Sequence, residues 1–305
     1  MSYRIDPGKP LGNETRRIVA AAAASAKAVL AVDTTSASAA WEARKAVKRA
    51  RSALRLVRAA DRAACGICNG ELRAVQAALA MPREEEAHRE AAISMRQWCA
   101  GQGNRTAADL FDRLRAALDR PACVRTASRA WAESPDRLGE RLDQAVRALD
   151  GFADGLSPRR QCRVIETGLS AAMRKAAVTL DIAVETGTPD AWHEFRKHVK
   201  HHRMHMRLLK PAWPGMLRLR ADVARLIQVD LGEDHDIWLL QALAENEPGL
   251  AEWPDGIAEL TACVDARSRL LRRNARRGAR YLFRDNPSVL AGMIGGLWRR
   301  AQKDA

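Results

Sequence analysis

The chain has 305 residues and a formal net charge of +14, with 51 Lys and Arg against 37 Asp and Glu. Hydrophobic residues make up 47% and charged residues 29%, a composition that excludes a disordered chain. Aromatic residues are only 5%, which leaves few rings for stacking bases, while the excess of cations attracts polyanions.

Alanine and arginine dominate, Gly and Pro are modest, and no window alternates with the period of a strand, so the fold class is all-α. In chain order, Arg16-Arg17 precedes a mostly alanine stretch from Ile18 to Val32 that imitates a secretory leader. Lys27 interrupts it, and the expected element is an amphipathic first helix. No stretch approaches the roughly 20 apolar residues that span a bilayer, so no membrane partner is expected. Breaks are expected at Asp6 to Gly12, Asp33 to Ser38, Met81-Pro82, Gly101 to Asn104, Pro121, Ser134-Pro135, Gly151 to Pro158, Gly187 to Pro189, Pro211 to Pro214, Gly232, Glu247 to Gly249, Pro254 to Gly256 and Asn286-Pro287. They divide the chain into about a dozen helices. Gly151 to Pro158 lies at the midpoint and is the expected linker between halves 1–150 and 151–305.

An internal repeat supports that division. Residues 41–58 align without gaps on 193–210, with eight identities: Glu42, Arg44, Lys45, Val47, Lys48, Arg51, Arg55 and Leu56 fall on Glu194, Arg196, Lys197, Val199, Lys200, Arg203, Arg207 and Leu208. The same offset of 152 places Arg73 on Arg225, Leu79 on Leu231, and Arg83-Glu84 on His235-Asp236.

Arg44, Lys48, Arg51, Arg55 and Arg58 share about 80° of one helix face, beside a separate apolar stripe. Their counterparts Arg196, Lys200, Arg203, Arg207 and Lys210 are all cationic too. The two segments hold +11 of the net charge in 36 residues. A solvated face would alternate signs at i,i+4; here the i,i+4 neighbours are like charges that repel. A row of cations rising about 5–6 Å per step suits an extended chain of phosphates.

Other residues offer chemistry that competes with this row. Six cysteines, at 65, 68, 99, 123, 162 and 263, fit a reduced, cytoplasmic protein, and Cys65-Gly66-Ile67-Cys68 has no second pair to complete a zinc site. His198, His202 and His205 lie at i, i+4, i+7, a spacing that can chelate zinc or nickel, but their first-half counterparts are Ala46, Ala50 and Ala53. They are read as ordinary helix residues, half-buried or facing solvent, and no metal is assigned. His235-Asp236 alone is too little for a metal-dependent phosphohydrolase; a carboxylate that orients an arginine of the row is preferred. Gly-x-x-x-x-Gly-Lys and GxGxxG do not occur. A nucleic-acid backbone binder is the competing class, disfavoured because Asn and Gln are nearly absent from both basic helices.

The doubled basic helix resembles the hallmark of the CHAD family, the conserved histidine α-helical domains. The residues that carry the likeness are His193-Glu194-Phe195-Arg196-Lys197-His198-Val199-Lys200 with Arg203, followed by Leu231-Gly232-Glu233-Asp234-His235-Asp236. Trp41 stands where the family usually has its first-half histidine, and Arg83-Glu84 where Arg-Asp is usual. The resemblance implies two similar four-helix-type bundles related by a pseudo-twofold, with a basic groove or cavity between them. It also implies non-enzymatic binding of inorganic polyphosphate, association with polyphosphate granules, and no cofactor. The binding set it implies, with the stripe, is Arg44, Lys45, Lys48, Arg51, Arg55 and Arg58 with His193, Arg196, Lys197, Lys200, Arg203, Arg207 and Lys210.

Overall fold

A computed structural model describes residues 3–32, 37–79, 84–118, 132–246 and 254–304, and these are helical almost throughout, with no strand among them. Eleven α-helices are described. The first six are α1 (Leu11–Val32), α2 (Ala37–Val57), α3 (Arg62–Ala78), α4 (Glu84–Gly101), α5 (Arg105–Leu118) and α6 (Pro135–Arg147). Then follow α7 (Pro158–Thr186), α8 (Pro189–Leu208), α9 (Pro214–Ala244), α10 (Pro254–Phe283) and α11 (Pro287–Lys303), with a 3₁₀ turn at Lys210–Ala212. The leader-like segment is the body of α1. No helix is long and apolar enough to cross a membrane among the described residues.

A recurring local signal starts these helices. A short polar residue accepts hydrogen bonds from the first free N–H groups, and proline follows at the first helical position, where its missing N–H costs nothing. Ser134 with Pro135, Thr188 with Pro189 and Asn286 with Pro287 all use it. At α3, Asp61 accepts from the amides of Ala63 and Ala64. Helix α7 ends on Gly187 at φ 65°, a left-handed conformation that glycine adopts without penalty. Three helix pairs begin 152 positions apart: Ala37 and Pro189, Arg62 and Pro214, Pro135 and Pro287.

Gly232 does not break its helix as expected, for α9 runs without interruption from Pro214 to Ala244. A glycine inside a helix costs only about 1 kcal/mol, and here it makes room: a Cβ on Gly232 would lie 2.6 Å from a guanidinium nitrogen of Arg196. The breaks expected at 33–36, Met81-Pro82, Pro121 and 247–249 lie outside the described residues, as do Cys123 and Arg83.

Three apolar clusters hold the helices. One joins α1, α2, α3 and α6 to the start of α7, the end of α8 and α11, through residues such as Leu54, Leu142, Ile165, Met206 and Trp298. A second seats the α4–α5 hairpin on the distal parts of α9 and α10, with Phe111 and Met95 against Leu240 and Leu271. A third packs α7, α8, α9 and α10 around Phe195, Ile227 and Leu282. The first two draw on residues from both sides of position 150. Helix α7 crosses α2 so closely that a Cβ on Gly168 would collide with the Leu56 carbonyl, and this contact fixes how α2 enters the second half.

Candidate functional site

Helices α2 and α8 pack on each other, and Ser52 marks where they meet. His205 Nε2 donates to the Ser52 carbonyl at 3.0 Å, and His201 Nδ1 lies 3.3 Å from the Ser52 hydroxyl. The apolar stripes of both helices face the core: Val47, Ala50 and Leu54 on α2 and Phe195, Val199 and Met206 on α8 are buried. With the stripes inward, the cationic rows are left to face each other.

The centre of that meeting is Lys48. Burial, and then the charges of Lys200, Arg44, Arg196 and Arg51, push its ammonium down to about 8. Lys200 is lowered likewise, by burial and then by Arg196, Arg203 and Arg44. Arg44 with Arg196 and Lys48 with Lys200 are pairs 152 positions apart, so two matched pairs converge on one place. No acid lies within ion-pair distance of any of the four among the described residues. Arg44 donates only to the Leu79 carbonyl, at 3.4 Å, and Arg196 to the Gln228 carbonyl, at 3.3 Å. Like charges held together without counter-ions raise the free energy of the empty site, and an anion relieves it.

Beyond the centre the rows continue in matched fashion. Arg51 stands near Arg55 and Arg73, and Arg203 near Arg207 and Arg225. Arg73 and Arg225 therefore belong to the site, although the stripe on α2 and α8 does not contain them; their match across the repeat was the signal that could have placed them there. Arg51 is aimed by neutral acceptors, Nε to Asn69 at 2.9 Å and a terminal nitrogen to Gln76 at 2.6 Å.

Other residues of the implied set are placed differently. Lys45 is held by Glu42 at 2.9 Å and lies over the Trp41 ring at 4.4 Å. Lys197 repeats the arrangement with Glu194 at 2.6 Å. Arg55 and Arg58 line a cavity on the opposite side of α8. Arg207 lies 5.9 Å from the Tyr3 ring centre, and Lys210 sits in the 3₁₀ turn. His193 packs against His235, their tilted rings 4.1 Å apart at the centres, and burial, then the neighbouring His235, lowers it to about 4. Its Nδ1 has no hydrogen-bond partner among the described residues. Asp236 is the acid that faces Arg196, and burial raises its carboxyl despite Arg196 and His235.

The histidine cluster corrects its expected exposure. His202 and His205 are fully buried, and His198 bonds Glu194 at 3.2 Å. His202 packs edge-on against Phe283 at 5.1 Å. No group of three or more His, Cys, Asp or Glu is gathered as metal ligands would be among the described residues. Five cysteines are free and buried, and burial pushes the Cys65 and Cys68 thiols up to about 12.

A family model described as the CHAD domain matches residues 16–245, about three-quarters of the chain. The chain belongs to the CHAD-domain family. The match takes in most of α1 and all of α2 to α9, hence both basic helices of this CHAD domain and all ten cations of their matched rows, but none of the α10 arginines. No curated protein and no solved structure matches the chain.

A further basic face lies outside the matched region. From Ala266 to Arg284 there are eight arginines and no acid. Arg267 and Arg272 are bound to Glu233 and Asp234, whereas Arg269, Arg273, Arg276, Arg277 and Arg280 are exposed and have no ion pair among the described residues.

Proposed function

We propose that this CHAD-domain protein binds inorganic polyphosphate without chemically altering it, in a basic groove between α2 and α8. The single observation behind this reading is the convergence of Lys48, Lys200, Arg44 and Arg196 with no acid within ion-pair distance among the described residues. The recurrence of helix starts at 152 supports an internal duplication in which each half contributes one wall of the groove. Arginine forks grip phosphate oxygens in pairs and lysines act as point charges, so a mixed row follows a flexible phosphate chain without requiring one conformation of it. Binding releases counter-ions from the polymer, by analogy with the phosphate backbone of nucleic acids. Association with polyphosphate granules in a reducing compartment is part of the same reading.

One observation favours a second reading. The exposed arginines of α10 offer a shallow, open surface of the kind that meets a nucleic-acid backbone. A competition at fixed salt decides between them: long polyphosphate displaces a labelled oligonucleotide at far lower phosphate concentration than DNA displaces polyphosphate. The reverse order would reject the polyphosphate reading. Incubated with polyphosphate and Mg²⁺ or Mn²⁺, the protein releases no orthophosphate; turnover would make it a phosphohydrolase.

A further inference from the structure

Helix α8 has a second side. Opposite Lys200, the end of α2, the middle of α7 and α8 enclose a cavity of about 450 Å³. Arg55, Arg58, Arg62 and Lys175 line it together with His201 and His205, and no acid is among its lining residues. Glu194, the acid felt by Arg55, is already engaged by Lys197 and His198. His205 is fully buried, and because its Nε2 donates to the Ser52 carbonyl, its Nδ1 is an acceptor; that atom has no hydrogen-bond partner among the described residues. Burial keeps the ring neutral, its pKa lowered to about 4.

The other half shows what such a space can hold. Ala46 and Arg49 are the counterparts of His198 and His201, and the cavity they line measures only about 130 Å³. Tyr3 occupies it: its hydroxyl donates to the Arg49 carbonyl at 2.9 Å, and Arg207, the counterpart of Arg55, lies over its ring. The segment is pinned by the Ile5 amide to the Leu208 carbonyl at 3.0 Å. Nothing in the chain plays the part of Tyr3 in the second-half cavity among the described residues, and four cations stand there instead of one ring.

We propose that this cavity binds a small phosphate ester of about the size of a nucleoside diphosphate, one that carries a hydroxyl or N–H beside its phosphates. Its volume lies in the range of small-molecule sites. Two adjacent phosphates match four cations, and the lone acceptor on His205 calls for a carbon- or nitrogen-borne donor set beside them, which inorganic phosphate chains lack. The site is separate from the polyphosphate groove, since His198, His201 and His205 lie on the face of α8 opposite Arg196 and Lys200.

Calorimetric titration of the full chain with ADP, and in parallel with inorganic pyrophosphate, tests the inference. ADP is expected to bind with one site per chain and about tenfold more tightly than pyrophosphate. R62E/K175E, both exposed positions, is expected to weaken ADP by about tenfold or more, as is A172W, which fills the cavity without changing its charge. K48E/K200E, which destroys the groove, is expected to leave ADP binding in place, so failure of the groove and failure of the cavity are distinguishable. No ADP binding, equal binding by pyrophosphate, or loss of ADP binding in K48E/K200E but not in R62E/K175E would each overturn the inference.

Discussion

Helices α2 and α8 hold the same cations at the same intervals and differ on their opposite faces. Where α2 has Ala46, Ala50 and Ala53, α8 has His198, His202 and His205. The alanines let α2 approach its neighbours closely and are buried without polar demand. The histidines make α8 polar on both sides: a charged row whose Lys200 meets Lys48, and on the opposite face the buried His205 and His202, against the Ser52 carbonyl of α2 and the Phe283 ring. The difference separates two tasks. What the helices bring to their meeting point, Arg44 with Arg196 and Lys48 with Lys200, has no acid within ion-pair distance among the described residues; of what they do not share, His205 reaches the Ser52 carbonyl and His202 packs on Phe283.

The largest effect should come from the shared row. R196E/K200E/R203E is expected to abolish polyphosphate binding while leaving the helical circular-dichroism signal intact, and R44E/K48E/R51E should do the same. Loss in one triple variant only would break the symmetry of the comparison and leave a one-walled site. On the unshared row, H205A removes a buried ring and strands the Ser52 carbonyl, so unfolding in urea should show a loss of about 2–4 kcal/mol. Binding by the protein that remains folded should be unchanged.

pH sharpens the contrast further. The pKa of Lys48 is depressed to about 8, so it loses its proton there, well below an ordinary lysine. Affinity for polyphosphate should fall as pH rises through about 8 at constant ionic strength, and K48R, which stays charged, should flatten the profile. The unfolded chain binds this proton more tightly, so stability rises with pH from about 8 toward 10.5. His193 and His205 titrate near 4 when folded and near 6.5 when unfolded, so stability falls as pH drops from 6.5 toward 4. The smallest effect belongs to Lys45 and Lys197, each bound to its own glutamate. K45A and K197A should change polyphosphate affinity by about twofold or less, in line with the small worth of exposed charges that already have partners.

Helices and rows were legible in the sequence for plain reasons. Capping residues followed by proline mark starts such as those of α6, α8 and α11, and the identities at an offset of 152 fix the phase of α2 against α8. A helical wheel places Lys48 and Lys200 on their own helices, but their approach depends on the tight crossing of α2 and α7 at Gly168, which only packing determines. The burial of His202 and His205 was illegible because polarity on a helix face reads as solvent contact, whereas here a serine carbonyl and a phenyl ring accept the two rings. The same holds for Gly232, which reads as a break until the guanidinium of Arg196 is seen lying against it.

The central claim is that Lys48 and Lys200 act together on one phosphate chain. Polyphosphate affinity measured across a salt series, for the unaltered protein and for K48A/K200A, tests it most directly. The slope of log affinity against log salt should be steep and negative, and shallower by about 2 in the double variant, one for each lost contact. An unchanged slope and affinity in K48A/K200A would contradict the account.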